Sequence, residues 1–217
     1  VSNGFEYHGI NHLALVCRDM AETIEFYEGV LGMPLVFTID LPGGMGQHFF
    51  FDIGNETLLA FFWFPDAPPL ERGTVAPAHM ITEGDFSSAI GSMNHVAFTV
   101  PEDRFDEMVE LLTARGIEPS AVLNHDDSER QVTRRLHEGV WLRSVYFWDP
   151  NGILLEFACL TRPFVPTDVR HQPRDVNGEL VALRADPNEV DGVTFDGTFR
   201  RAGVAGSAAS RQHDVTP

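Results

Sequence analysis

Two short strings in this chain, Ile10-Asn11-His12-Leu13-Ala14-Leu15-Val16 and Met93-Asn94-His95-Val96-Ala97-Phe98-Thr99, put a histidine at the same point of an apolar run. A third reactive side chain, Glu156, sits inside Ile153-Leu154-Leu155-Glu156-Phe157-Ala158-Cys159-Leu160. Imidazole nitrogens and a carboxylate oxygen bind divalent metals, and two histidines with one carboxylate leave coordination positions open for a substrate. A lone histidine in an apolar strand is ordinarily a core residue with a hydrogen-bond partner. A lone buried glutamate ordinarily finds an arginine, for which Arg143 and Arg134 are available. The equivalence of the two histidines under the repeat, joined to that carboxylate, favours metal ligation by His12, His95 and Glu156.

The elements that would position these residues repeat as well. After each histidine string comes a helix pattern. In the first copy Asp19 and Glu22 make a capping box ahead of a Met20, Ile24, Tyr27, Leu31 stripe. In the second, Pro101 and the acidic Glu102 and Asp103 open a helix whose apolar face is Phe105, Met108, Val109 and Leu112. Three strands follow in the first copy, 35–41, 47–53 and 57–64, separated by Pro42-Gly43-Gly44 and Gly54-Asn55 turns. The second copy ends in a hairpin, 141–148 and 153–160, around Asp149-Pro150-Asn151-Gly152. The organisation is therefore α+β, with residues 1–64 and 91–161 as two βαβββ modules. Residues 65–90 form a linker or long loop, and 162–217 a polar C-terminal tail. Alternation along the strands sets both histidines opposite the larger apolar set, which belongs on the helix side.

Composition narrows the function classes. The net charge is -17, and all 15 basic residues are arginine, so a polyanion meets a repulsive surface and nucleic acid is excluded as a partner. No apolar run is long enough to cross a membrane and no charged leader precedes a hydrophobic segment, which reads as a cytoplasmic, unanchored protein. Cys17 and Cys159, far apart and each within an apolar run, read as buried reduced thiols.

Over about residues 8 to 161 the chain resembles the vicinal oxygen chelate superfamily, which includes glyoxalase I, extradiol ring-cleaving dioxygenases, and fosfomycin- and bleomycin-resistance proteins. The resemblance implies two fused βαβββ modules forming a curled half-barrel sheet around a central metal cavity. The ligands would be His12, His95 and Glu156. It puts Ala60 where glyoxalase-type members carry a further carboxylate ligand. A second pattern is similar to the extradiol enzymes: His137, then Val145-Tyr146, then Asp149-Pro150-Asn151-Gly152, then Glu156.

That resemblance implies an Fe(II) dioxygenase acting on a catechol or other small molecule with vicinal oxygens, with Tyr146, His137 or His48 supplying hydrogen bonds and proton transfer. Each has a plainer reading: Tyr146 as a packed strand aromatic, His137 as a solvated surface histidine, His48 as a residue outside the cavity. Two alternatives remain. One is an isomerase, epimerase or thiol transferase using Mn(II), Zn(II) or Ni(II); the other is a metal-free module that sequesters a ligand. Exposed edges of half-barrel sheets pair between subunits, so a homodimer is expected.

Overall fold

The structure, a computed structural model, describes residues 8–168 and 171–182. The chain divides into a body that ends at Arg162 and a C-terminal unit that begins at Pro163. In the body, strand β1 (His12–Cys17) leads into helix α1 (Met20–Ile24), which continues as a π-helical segment, Glu25–Val30. Asp19 caps α1 by accepting from the Glu22 backbone N–H at 3.0 Å, half of the capping box read from the sequence. Strands β2 (Leu35–Leu41), β3 (Gly46–Asp52) and β4 (Leu58–Trp63) complete the first module. They form one four-stranded sheet in the order β1-β4-β3-β2, with β1 and β4 parallel and the rest antiparallel. Gly46 is obligatory at the start of β3: its φ is +146°, and a Cβ there would fall 2.0 Å from the Trp63 carbonyl oxygen.

The second module repeats the order. Strand β5 (Val96–Thr99) is followed by helix α2 (Phe105–Ala114), and β5 pairs in parallel with β9 (Leu154–Leu160). Strand β8 (Leu142–Trp148) pairs antiparallel with β9 through the Asp149–Gly152 turn. Two short strands, β6 (Leu123–His125) and β7 (Val132–Thr133), extend the sheet to the order β5-β9-β8-β6-β7. They fall in a polar stretch whose alternation is too short for sequence patterning to register. The α+β architecture is thus two mixed sheets, neither closed into a barrel.

The helix-side faces of both sheets share one core, with Leu59, Phe61, Phe26 and Tyr27 from the first module and Phe98, Phe105, Phe147, Leu155 and Phe157 from the second. Cys17 and Cys159 lie buried and free in that core. A second, smaller core of Met80, Tyr146 and Leu154 lies on the other face of the second sheet, where the inter-module loop supplies Met80 and Ile81. Earlier in that loop, the Arg72 guanidinium stacks over the Trp148 ring at 4.0 Å.

The C-terminal unit contains a 3-10 turn, Pro166–Asp168, and a bridge between Arg174 and Leu180 around a turn capped by Asp175. Residues 183–217 of the expected tail lie outside the described residues. Among the described residues no helix is long and apolar enough to cross a membrane.

One polar contact inside the shared core ties the modules together. The Tyr27 hydroxyl donates to Asp149 Oδ2 at 3.0 Å, and Asp149 also accepts from the backbone N–H groups of Asn151 and Ile153. Burial pushes the Asp149 carboxyl above its ordinary range and raises the Tyr27 phenol well above its own. Removing one donor from a buried acceptor leaves it undersatisfied. Tyr27→Phe is therefore expected to lower folding stability by about 1–3 kcal/mol, measured as a shifted urea midpoint with an unchanged slope.

Candidate metal centre

Glu156 and His95 meet on the face of the second sheet that looks away from the helices. On β9 Glu156 alternates with Leu155 and Phe157, which enter the core, and its register partners are Ala97 on β5 and Tyr146 on β8. His95 has the parity of Ala97, so it emerges on the same side. His95 Nε2 stands 2.9 Å from Glu156 Oε2, and the carboxylate side chain is 4% exposed. The Ser144 hydroxyl donates to the other oxygen, Oε1. No arginine reaches the carboxylate from β8, because Arg143 faces the helix side, paired to Asp106 at 2.6 Å and stacked over Phe105.

The tautomer of His95 follows from its neighbour. Asn94 Nδ2 donates to the Phe86 carbonyl at 2.7 Å, which turns the amide oxygen Oδ1 toward His95 Nδ1 at 2.8 Å. An amide oxygen only accepts, so Nδ1 carries the proton and the neutral ring directs the Nε2 lone pair at Glu156. His12 repeats the arrangement, its Nδ1 lying 2.8 Å from Asn11 Oδ1.

A lone pair facing a carboxylate oxygen at 2.9 Å calls for a cation between or beside them, either a proton on Nε2 or a metal ion. Ligand atoms about 2.1 Å from one ion and at right angles to each other stand roughly 3 Å apart, so the pair fits two adjacent positions of a coordination sphere. Its nitrogen and oxygen donors, oriented by an amide and a hydroxyl, suit a divalent ion of the Zn, Mn or Fe type.

His12 does not join them within the chain. Among the described residues no three of His, Cys, Asp and Glu converge into a metal-holding group. His12 belongs to the other sheet, on a face shared with Ala14 and Val16, with Leu58, Ala60 and Phe62, and with His48, Phe50 and Phe37. Ala60 is fully buried there, between Ala14 and Phe50 in register. The same face leaves large apolar side chains uncovered: Phe37 is 59% exposed and Val16 50%.

The three expected proton-transfer residues take different positions. Tyr146 lies beside Glu156, edge-on to His95 with ring centroids 5.6 Å apart, and its hydroxyl interacts with Glu156 and Ser144. Burial first, and then the Glu156 charge, push its pKa up to about 12, so near neutral pH it is a hydrogen-bond donor and not a base. His137 is held elsewhere. Its Nε2 lies 3.1 Å from Asp126 Oδ2 and its Nδ1 accepts from the Gly139 N–H at 3.1 Å, which commits both ring nitrogens to a loop. Ser128 donates twice to the same Asp126, and that hydrogen bonding holds the Asp126 carboxyl below its ordinary range. His48 lies flat on Phe62, ring centroids 3.6 Å apart, with its Nδ1–H on the Phe61 carbonyl. It stays on the first sheet, with His12.

Three contributors escaped the sequence reading. Asn11 and Asn94 were present in both repeated strings, where the repeated unit is Asn-His and not histidine alone. Ser144 could have been found by parity, since it stands two residues before Tyr146 on the same strand.

Residues 9–157 match the family model of the Glyoxalase/Bleomycin resistance protein/Dioxygenase superfamily. The metallothiol transferase FosB of Lysinibacillus sphaericus (strain C3-41) is 29% identical over 148 residues, covering 68% of this chain and 79% of that protein. Among solved structures, SMU.1112c is 22% identical with a TM-score of 0.50, over 70% of this chain and 99% of that one. The fosfomycin resistance protein FosX from Mesorhizobium loti is 19% identical with a TM-score of 0.47, over 76% of this chain and 100% of that one. At its identity SMU.1112c speaks for the fold alone.

The amide that orients His95 yields a test. Asn94→Ala frees the ring to rotate and lets the proton move to Nε2, so metal affinity should fall roughly 10- to 100-fold, as for other orienting partners. Competition against a chromophoric chelator reads this directly, and Asn94→Asp should restore most of the loss.

Proposed function

The chain belongs to the Glyoxalase/Bleomycin resistance protein/Dioxygenase superfamily, and from that premise we propose a metal-dependent enzyme that adds a thiol to a small oxygen-bearing substrate. The observation that carries the metal dependence is the pairing of His95 Nε2 with a nearly dry Glu156 carboxylate, while Arg143, the arginine of the adjacent strand, is paired to Asp106 instead. Similarity to a metallothiol transferase favours thiol addition over ring cleavage with dioxygen. The oxygenase expectation leaned on His137, whose ring nitrogens are both spent in the Asp126 loop. Mn(II), Zn(II) or Ni(II) therefore replaces Fe(II) as the favoured metal, since thiol addition needs a Lewis acid but no redox change.

Within this reading His95 and Glu156 hold the metal, which when bound supplies Lewis acidity to a substrate oxygen. Tyr146, kept neutral by burial, donates a hydrogen bond to that oxygen. Ser144 fixes the carboxylate, and Met80 and Ile81 of the loop between the modules keep water from the Tyr146 side. The thiol gives up its proton, its sulfur bonds to a substrate carbon, and the C–O electron pair leaves on oxygen, which is then protonated.

His12 completes the triad from a second copy of the chain. Its sheet carries an uncovered apolar face with Phe37 and Val16, the kind of surface two subunits bury against each other. An isologous pairing sets each His12 against the other subunit's His95 and Glu156 and builds two equivalent sites per homodimer.

Metal content after mixing two variants tests the shared site. His12→Ala and Glu156→Gln should each bind little metal alone. Exchanged into mixed dimers they rebuild one of the two sites, recovering about a quarter of wild-type capacity. No recovery after verified exchange would place all three ligands in one chain or remove His12 from the site.

Turnover tests the chemistry. Loaded with Mn(II) or Zn(II), the protein should consume 2-mercaptoethanol in the presence of small epoxides and take up no oxygen with catechols. Tyr146→Phe should keep its metal and slow thiol consumption by a factor on the order of 10². Oxygen uptake on any catechol would return the assignment to a dioxygenase.

A further inference from the structure

One buried nitrogen on the Glu156 face has no partner. His125 ends β6, and the antiparallel register sets Leu123 opposite Ser144 and His125 opposite Leu142. Leu142, Ser144 and Tyr146 alternate along β8, so His125 projects from the face that carries Ser144, Tyr146 and Glu156. Asn124, one residue earlier, points the other way and accepts from Arg143. Among the described residues, His125 Nε2 is the one solvent-sealed side-chain nitrogen or oxygen without a hydrogen bond. The Trp141 ring, 5.7 Å away between centroids, offers it no acceptor or donor there.

Buried polar atoms are almost always paired, and an unpaired one in a site marks where a ligand atom arrives. That ligand atom is not the metal, because no third ligating residue joins His95 and Glu156 among the described residues. By register His125 stands opposite Leu142, two residues from Ser144 along β8, on the face from which a small molecule would approach Glu156. Burial lowers its pKa, while Glu156 and Asp126 act in the opposite sense. The ring is therefore neutral before reaction, and the imidazolium would have acidic neighbours once formed.

We propose that His125 is a further catalytic residue, its Nε2 accepting the S–H proton of the thiol that attacks the substrate held at His95 and Glu156. This rests on the thiol-addition reading. The S–H bond breaks with its electron pair left on sulfur, that pair forms the C–S bond, and the C–O bond breaks with its pair on oxygen. The proton passes from Nε2 to that oxygen through the Tyr146 side of the site or through solvent, and no oxidant or reductant is consumed.

The test uses the full chain loaded with Zn(II) and labelled with ¹⁵N-histidine, titrated with 2-mercaptoethanol and, as a control, ethanol. The His125 Nε2 resonance, assigned by its loss in His125→Gln, should move saturably with the thiol and not with the alcohol. In turnover at mildly alkaline pH, His125→Gln should slow 2-mercaptoethanol by a factor on the order of 10² yet slow 2,2,2-trifluoroethanethiol only a few-fold, since that far more acidic thiol needs little help in losing its proton. Equal slowing with both thiols overturns the proposal. Wild-type thiol turnover with an unmoved His125 resonance overturns it while leaving thiol addition intact. No turnover and an unmoved resonance bring down both, whereas a thiol-specific shift without turnover keeps the thiol site and removes the reaction. If His125→Gln does not fold, the wild-type titration decides, with His125→Asn supplying the assignment.

Discussion

A carboxylate that is 4% exposed in a sheet of leucine, phenylalanine and valine is the constraint to which the second module is arranged. An ion placed there without a countercharge is costly, and the strand pairing offers none: the nearest arginine on β8 has the wrong parity and goes to Asp106. What surrounds Glu156 instead is a ring of groups that suit an anion awaiting a cation: a serine hydroxyl on one oxygen, an imidazole lone pair toward the other, and a neutral phenol alongside. The loop between the modules packs against the same face, so the polar cluster is enclosed by chain that belongs to neither sheet.

The core accounts for why the two histidine-bearing faces stay apart. Both sheets turn their helix sides inward to a common apolar interior, and the Tyr27–Asp149 hydrogen bond crosses that interior. With the interiors merged, the opposite faces look outward in separate directions. One keeps the His95–Glu156 pair and a covering loop; the other keeps a histidine among uncovered aromatic side chains. The duplication that made the sequence symmetrical therefore made a structure whose halves are complementary and not alike.

Much of this was legible before any coordinates. The β2 limits, 35–41, were read as they stand, and β3, β4, β8 and β9 shift by one residue, because Gly, Pro and Asn turns punctuate strong apolar runs there. Alternation, with the larger apolar set assigned to the helix side, puts His12 and His95 on the faces away from the helices, where the structure has them. What was not legible followed from long-range partners. His137 matched a pattern by spacing, yet its ring nitrogens were claimed by Asp126, eleven residues away, and by Gly139. His48 shared a module with His12 and stayed on that module's sheet. His125 lay in a three-residue strand flanked by polar residues, where two apolar alternations are too few to mark a face.

The Asn-His dipeptide is the piece the two modules inherited in common, and they anchor it differently. In the second copy the amide is pinned by the Phe86 carbonyl and approached by Ser88, both in the connecting loop. A segment with no sheet of its own thereby sets the bearing of the His95 ring at the entrance to β5. If His95 and Glu156 hold a metal as proposed, changing the length or sequence of this connector would turn the imidazole and so alter ion preference without touching a ligating residue. Metal preference would then be a trait of the linker as much as of the ligands, and comparing ligands alone would miss where it diverged.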